Sequence, residues 1–226
     1  MLSAFIYLAS QSPRRQELLL QMGVGFKLLL PQDTRAKVLA AQLLALEALE
    51  AQRPSESAVQ YVQRVTLLKY QAARLRGQAL GARFESNRPI LCADTTVCLD
   101  GQILGKPRDA KEASAMMSAL SGQTHRVYTS VVLGDAKGHV QCLSRSWVTM
   151  SAWSKAQIRA YVESEEWRGK AGGYAIQGKA SSMIASIRGS YSGIMGLPVF
   201  EVSGMLRSFG LEVLQHTHNT RSPTSK

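Results

Sequence analysis

The sequence of 226 residues is long enough to bury a full core, and its 45% apolar and 19% charged residues are typical of a soluble globular protein. No apolar run reaches the ~18 residues that span a bilayer, and the N-terminal basic residues follow the apolar stretch, the reverse of a secretory signal. The net charge of +11 is consistent with a nucleic-acid or polyphosphate partner, but the basic residues are dispersed and a solvated surface explains most of them. We expect a cytoplasmic protein without a membrane partner.

Predicted elements in the first half of the chain alternate between strands and helices, an order that favours an α/β fold. They are a strand at 4–10, helices at 13–22, 38–51 and 57–80, and two strands within 89–107. The first helix begins with Ser12 as N-cap and Pro13 at its first position, and Gly23 ends it. Asp100-Gly101 is a hairpin signal that joins the two strands.

The second half of the chain continues this alternation. Its predicted elements are helices at 110–121, 155–161 and 199–210, and strands at 125–135, 139–150 and 211–214. Asp109 with Glu112, and Ser154 with Gln157, are predicted to cap the first two of these helices. The strand at 125–135 alternates as a half-buried strand does, with one face formed by Val127, Thr129, Val131 and Leu133.

We predict a single domain of two lobes over 1–214 and a disordered polar tail over 215–226. The three cysteines are an odd number without CxxC spacing, which is typical of buried thiols in a reducing compartment: Cys92, Cys98 and Cys142. His216 and His218 form an HxH in the tail, but no carboxylate or thiol stands near them in the sequence, so we do not expect a metal site there.

The first candidate site is the strand-to-helix turn at 10–15, with the sequence SQSPRR. Backbone N–H groups and the positive end of a helix favour an anion at such a turn. Arg14 and Arg15 would strengthen it, because a guanidinium binds two phosphate oxygens at once. The alternative is an ordinary capped helix with two solvated arginines.

The second candidate site is the CADTT segment at 92–96, where Asp94 follows an apolar run. A carboxylate at the end of a buried strand can bind Mg²⁺ or deprotonate a water molecule. Twelve residues later, a GKP sequence places Lys106 in a tight loop, where its charge suits a triphosphate. The alternative for Asp94 is a turn-forming residue.

The third candidate site is the glycine-rich segment KAGGYAIQG at 170–178. Its glycines allow the backbone to approach a ligand closely, and Lys170 adds charge. Gln177 has an amide that both donates and accepts, as recognition of a nucleotide base requires. The alternative is a flexible connection, and the segment does not have the P-loop pattern.

Long motifs in the sequence resemble those of the Maf (septum-formation inhibitor) proteins. They are LASQSPRRQELLLQMG, the segment from ADTTVCLDGQILGKP to HRVYTSVVL, GKAGGYAIQG, and IRGSYSGIMGLPVFEV. The resemblance covers most of residues 4–210, in the family's order and spacing, and the chain departs from the pattern chiefly at 31–53. It implies an α/β fold similar to inosine triphosphate pyrophosphatase, with a long mixed twisted sheet flanked by helices and a cleft between two lobes.

The resemblance also implies an activity. Such enzymes hydrolyse a nucleoside triphosphate to the monophosphate and pyrophosphate, by attack of water at the α-phosphorus with a divalent cation such as Mg²⁺ or Mn²⁺. They are commonly homodimers. The KAGAYxIQG motif, which 170–178 matches, is typical of the branch that acts on dTTP and UTP, so we expect these two substrates and a role in removing unwanted nucleotides.

Matching the motifs position by position implies the site residues. Asp94 matches the proton acceptor and metal ligand, with Lys106 and Lys69 as catalytic cations. The residues implied in substrate binding and specificity are Ser12, Arg14, Arg15, Thr95, Lys170 and Gln177, of which Arg14, Thr95 and Gln177 match the specificity positions. The family's further metal-site glutamate falls within 31–53, where both Glu47 and Glu50 are candidates.

Three other functions remain open at this point. One is a pyrophosphatase acting on deaminated purine nucleotides such as ITP, which the IQG sequence argues against. The second is a regulator of septum formation without catalytic activity, as the family's name suggests; a link to cell-division arrest is implied for the pyrophosphatase itself. The third, suggested by charge alone, is a nucleic-acid binder.

Overall fold

The computed structural model describes residues 5–30 and 51–213. Its strands are β1 (Phe5–Leu8), β2 (Gly25–Leu28), β3 (Ile90–Leu99), β4 (Gln102–Leu104), β5 (Thr124–Gly134), β6 (His139–Met150) and β7 (Ile184–Arg188). Its α-helices are α1 (Pro13–Gln21), α2 (Ala58–Ala79), α3 (Ala110–Leu120), α4 (Lys155–Glu163), α5 (Tyr191–Met195) and α6 (Val199–Ser208). The predicted helix at 38–51 lies outside the described residues except for its last residue, and the predicted tail lies outside them entirely.

The strands form one seven-stranded sheet in the order β2-β1-β3-β5-β6-β7, with β4 also paired to β3. β1 is parallel to both β2 and β3, and the remaining pairs are antiparallel. This mixed sheet with its flanking helices confirms the predicted α/β class. The β3–β4 hairpin turns at Asp100 and Gly101, whose φ angles of 48° and 85° are those of a type I′ turn.

Side-chain caps fix where the helices begin. Ser154 and Gln157 form the predicted reciprocal pair of hydrogen bonds before α4. Before α3, the Asp109 carboxylate accepts a hydrogen bond from the Glu112 N–H at 2.8 Å, as predicted. The other half of that predicted capping box is wrong, because the Glu112 carboxylate accepts from the backbone N–H and the guanidinium of Arg108.

The prediction that 125–135 is a half-buried strand is wrong, because β5 lies in the middle of the sheet and is covered on both faces. Val131 and Leu133 pack with α1 and α6 on one face, and Val132 packs with α2 on the other. Val127 belongs to a separate cluster with α3 and α4. The first face therefore carries two apolar clusters, one at each end of β5.

The structure contains three short elements that were not predicted, and it lacks a strand that was predicted near the end of the described residues. β2, β7 and α5 were not predicted, and β7 and α5 lie in a stretch without apolar periodicity. The strand predicted at 211–214 is wrong over 211–213, which have no regular structure. There Gly210 adopts a φ of 70° and the Leu211 N–H donates to Leu206 O, so the chain closes α6 instead of joining the sheet.

Two of the three thiols are buried as expected. Cys92 and Cys98 are buried, whereas Cys142 is only partly buried, and all three are free. Burial raises the pKa of Cys92 to about 12, so this thiol stays protonated at neutral pH. Among the helices within 5–30 and 51–213, none is both long and apolar enough to cross a membrane.

An open edge on β3 positions the candidate site. On this edge, β1 pairs with β3 only at Ile90 and Leu91, and β4 pairs with it only from Val97 onward. Within the described part of the chain, no strand covers this edge between those two pairings. Asp94 and Thr95 lie in this gap, and because strand residues alternate, their side chains point to opposite faces of the sheet.

Candidate active site

A cleft of about 860 Å³ opens at the gap beside β3 and is lined from both faces of the sheet. Nine residues proposed from the sequence line it: Ser12, Arg14, Arg15, Lys69, Asp94, Thr95, Lys106, Lys170 and Gln177. Glu47 and Glu50 lie outside the described residues. Segments far apart in sequence therefore meet at one place, as the sequence analysis required.

The charge of the cleft is strongly positive. Its described cationic residues are Arg14, Arg15, Lys69, Arg76, Lys106, Arg168 and Lys170, against the carboxylates of Asp94 and Glu166. Burial lowers the pKa of Arg14 and of Lys170, because a charged group loses hydration when it is buried. A polyanion would compensate for this loss, and a triphosphate carries about four negative charges.

Residues 12–14 form the start of α1 at one wall of the cleft. Ser12 is the N-cap and Pro13 occupies the first helical position, as predicted. The Ser12 hydroxyl makes no capping hydrogen bond to the first turn. The backbone N–H of Ser12 donates instead to Ser10 Oγ, at 3.2 Å. Both the Ser12 hydroxyl and the Arg14 guanidinium line the cleft, where they can contact an anion.

Arg15 is fixed more tightly than the neighbouring Arg14. Its Nε donates to the carbonyl of Gly196 at 2.8 Å, its Nη1 to Ser10 Oγ at 3.1 Å, and its Nη2 to Thr95 Oγ1 at 3.3 Å. Burial lowers the pKa of Arg15, which the charge of Asp94 partly opposes. A guanidinium keeps its charge in proteins, so Arg15 is a fixed cation in the cleft wall.

Asp94 lies in the middle of β3 at its open edge, so the expectation that it ends a strand is wrong, because β3 continues to Leu99 through its pairing with β5. Its Oδ1 accepts a hydrogen bond from Lys69 Nζ at 2.7 Å, and the two side chains remain 17% and 29% exposed. Its Oδ2 makes no hydrogen bond to any described residue. Lys69 comes from α2, so this pair joins the helix layer on one face to the edge of the sheet.

The oxygen atoms at Asp94 fit a magnesium ion that is coordinated mainly by the phosphate groups of a bound ligand. The described residues contain no group of three or more His, Cys, Asp or Glu side chains that could hold a metal alone. Mg²⁺, however, is commonly bound by one or two carboxylates together with substrate phosphates. Asp94 Oδ2 is available for such a bond, so the residues present fit this mode of binding.

The glycine-rich segment at 170–178 is tied to its surroundings. The Gly172 N–H donates to Gly105 O at 2.9 Å, which joins this segment to the loop carrying Lys106. Gly172 has a φ of 67° and lies against Val97, so a side chain there would be both strained and crowded. Lys170 Nζ donates to the carbonyl of Glu166. These contacts hold Lys170 and Lys106 on the same wall of the cleft.

Tyr174 anchors the middle of this segment beneath the cleft. Its hydroxyl lies 2.6 Å from His125 Nε2, and both side chains are buried. Burial lowers the pKa of His125 to about 4, so the ring is neutral at pH 7. This pair links the segment to β5. Tyr174 lines the cleft, whereas His125 does not and supports the site from below.

Gln177 lies at the exposed rim of the cleft. Its amide makes no hydrogen bond to any described residue. The backbone beside it is held by Glu166, whose two carboxylate oxygens accept from the Lys179 N–H at 2.9 and 3.0 Å. The Gln177 amide is therefore available to a ligand, next to a segment of fixed backbone.

Three charged residues of the cleft were not predicted from the sequence: Arg76, Glu166 and Arg168. Arg76 lies seven residues after Lys69, about two helical turns, so it falls on the same face of α2. That spacing could have identified it. Glu166 had no such signal, because its role depends on the Lys179 N–H across a turn.

Comparisons with known proteins agree with this geometry. Residues 5–209 match the family model of Maf-like proteins. The dTTP/UTP pyrophosphatase of Albidiferax ferrireducens is 50% identical over 214 residues, which is 94% of this chain and 100% of that protein. The dTTP/UTP pyrophosphatase of Cupriavidus pinatubonensis is 51% identical, over 90% of this chain and 96% of that protein. One of the same name from Burkholderia orbicola is 51% identical, over 90% and 92%. With the motifs gathered in one cleft and identity at this level along the whole match, the chain belongs to the Maf family.

Proposed function

We propose that this protein is a nucleoside triphosphate pyrophosphatase that hydrolyses dTTP and UTP to the monophosphate and pyrophosphate. The observation that carries the proposal is the Asp94–Lys69 pair in a cleft otherwise rich in arginine and lysine. The relatives named for this activity support it. Three of the motifs implied by the resemblance contribute cations to this cleft, at Arg15, Lys106 and Lys170.

The cationic residues bind and orient the triphosphate. Arg15 contributes a rigid fork for phosphate oxygens, whereas Lys106 and Lys170 contribute point charges. These charges stabilise the negative charge that builds up on the leaving pyrophosphate in the transition state. Because they are held on separate segments around the cleft, binding also fixes the position of the α-phosphorus relative to Asp94.

Asp94 activates the attacking water. A carboxylate beside the α-phosphorus can accept the proton of that water as the new P–O bond forms and the bond to pyrophosphate breaks. Asp94, with Glu47 or Glu50 as further candidates, would hold a divalent cation such as Mg²⁺ or Mn²⁺. When bound, that cation neutralises phosphate charge and lowers the pKa of bound water. Lys69 orients the Asp94 carboxylate through the 2.7 Å contact between Lys69 Nζ and Asp94 Oδ1.

Gln177 is the residue that we assign to base recognition. Uracil and thymine present two carbonyl acceptors on either side of one imide N–H, and a glutamine amide can satisfy one of each. The amide lies at the cleft rim without a partner in the described residues, so it is free to bind a base. Arg14 and Thr95, the other two implied specificity positions, line the same cleft.

The protein also acts as a cytoplasmic homodimer, with no nucleic acid or membrane as partner. Large apolar side chains at the surface support the dimer, among them Phe200, which is 85% exposed on α6. Light scattering on wild type and Phe200→Ser tests this assignment. A wild type that is monomeric at micromolar concentration contradicts it.

A substrate panel tests the activity. The purified chain with Mg²⁺ or Mn²⁺ is assayed with dTTP, UTP, CTP, GTP and ITP, and pyrophosphate is distinguished from orthophosphate. In oxygen-18 water, attack at the α-phosphorus places the label in the monophosphate and none in the pyrophosphate. Orthophosphate with a diphosphate, or label in the pyrophosphate, contradicts the proposal.

The same panel separates the alternative functions. A purine-directed pyrophosphatase would prefer ITP to UTP. A septum-formation regulator without catalysis would hydrolyse no member of the panel and would tolerate loss of Asp94 in cells. A nucleic-acid binder would show tight, salt-dependent binding to duplex DNA.

A further inference from the structure

A chain of hydroxyl groups runs from the cleft into the sheet. Arg15 Nη2 lies 3.3 Å from Thr95 Oγ1, and Thr95 Oγ1 lies 2.9 Å from Thr129 Oγ1. Thr129 Oγ1 lies 2.7 Å from the carbonyl oxygen of Gly193. Thr95 and Thr129 are directly opposed on β3 and β5, and Thr129 is 1% exposed and does not line the cleft.

The direction of each hydrogen bond in this chain follows from counting protons. The Gly193 carbonyl can only accept, so the single hydroxyl proton of Thr129 is donated to it. Thr129 must then accept from Thr95, which uses the only hydroxyl proton of Thr95. The Thr95 oxygen consequently faces Arg15 as an acceptor, as the guanidinium requires.

These hydrogen bonds determine which N–H groups of Arg15 remain available to a ligand. A guanidinium has five N–H groups. Three of them are taken by Gly196 O, Ser10 Oγ and Thr95 Oγ1. One N–H then remains on each terminal nitrogen, where it can be donated to a phosphate oxygen.

We propose that Thr129 is a positioning residue. It fixes the Thr95 hydroxyl as an acceptor and thereby holds the Arg15 guanidinium in position to bind the triphosphate. The inference rests on the proposed function and extends it to a buried residue outside the cleft. It also implies that Thr95, whose hydroxyl proton is committed to Thr129, contributes to triphosphate binding through Arg15.

The test compares Thr129→Val, Thr129→Ser and Thr124→Val in the full chain. Valine keeps the shape of threonine without the hydroxyl, and serine restores the hydroxyl. Thr124 on β5 forms a similar hydroxyl pair with Thr149 on β6. This pair is exposed and lies outside the cleft lining, so Thr124→Val is the matched control. Two quantities are measured for each variant: kcat/KM for UTP, and Kd for a UTP analogue with a methylene group in place of the α,β-bridging oxygen.

We expect Thr129→Val to weaken analogue binding and lower kcat/KM by about fivefold to tenfold, as loss of one buried hydrogen bond does. Thr129→Ser and Thr124→Val should remain within about twofold of wild type. In an Arg15→Ala background, Thr129→Val should change Kd by less than about twofold, because a residue that acts through Arg15 has no effect without it.

Two results overturn the inference. One is unchanged binding by Thr129→Val, and the other is an equal loss in the presence and absence of the Arg15 side chain. If Thr129→Val does not fold, Thr95→Val removes the hydroxyl at the cleft end of the same series of hydrogen bonds and is subject to the same double-mutant test in the Arg15→Ala background. A wild type that binds the analogue but releases no pyrophosphate refutes the proposed function alone.

Discussion

Replacing Asp94 with asparagine keeps the volume of the side chain and removes its charge, so it separates the chemistry of this carboxylate from its part in the fold. Asp94 Oδ1 lies 2.7 Å from Lys69 Nζ, with both side chains partly exposed. An ion pair with this exposure contributes about 1 kcal/mol or less to the free energy of unfolding. In a chain of 226 residues, losing it lowers Tm by roughly 2–4 °C.

The loss of activity should be much larger than this loss of stability. Removing a general base lowers kcat by about 10²- to 10⁴-fold. At about 1.36 kcal/mol for each factor of ten, that corresponds to ~2.7–5.4 kcal/mol in the activation barrier. Pyrophosphate release from UTP gives kcat, and thermal unfolding of the same preparation gives Tm.

A second carboxylate–lysine pair provides the control. Glu85 Oε1 lies 3.4 Å from Lys27 Nζ and outside the cleft lining, so Glu85→Gln removes a comparable charge without touching the site. Its kcat should stay within about twofold of wild type. If Asp94→Asn unfolds, or keeps more than about a tenth of the wild-type kcat, Asp94 serves only the fold and the mechanism is wrong.

Three further predictions concern the loop at the rim and its support. Gln177→Glu should reduce kcat/KM for dTTP and UTP more than for CTP and GTP, because a carboxylate cannot donate to a base carbonyl; an equal loss for all would assign Gln177 to the phosphates. Gly178→Ala should lower UTP turnover, since its methyl group would displace the Glu166 carboxylate from the Lys179 N–H, whereas Gly204→Ala, with nothing within 4 Å, should not. Between pH 6.5 and 4 the free energy of unfolding should fall by about 3 kcal/mol more in wild type than in His125→Asn, because the unfolded chain binds a proton in that window that His125, with its pKa lowered to about 4, does not; urea unfolding of the two proteins measures this difference.

The parts of the site that lie within one continuous segment were predictable from the sequence. Ser12 to Arg15 combine a strand end with a helix start, and Asp94 follows an apolar run, so each motif carries its own local context. Lys69 was predictable only from the resemblance to a family. It lies on a helix with several other basic residues, and no local pattern distinguishes it from Arg64 or Arg74.

The features that escaped prediction depend on partners distant in sequence. Thr129 was placed on a core face, but its role requires Thr95 and Gly193, the latter 64 residues away. β7 is an exposed edge strand without alternating apolar residues, so only its pairing with β6 makes it a strand. The opposite error occurred at 211–213, which have strand-forming residues but no neighbouring strand to join.

The hydrogen bond between Arg15 and Gly196 joins residues that are 181 positions apart. During synthesis Arg15 leaves the ribosome long before Gly196 does, so the Arg15 Nε–H lacks this acceptor until nearly the whole chain has emerged. Such long-range closure is also slow compared with helix formation. No N-terminal fragment ending before Gly196 can hold Arg15 in its final geometry. During refolding after denaturation, pyrophosphatase activity should therefore return later than the circular dichroism signal of the helices, because activity requires the complete fold.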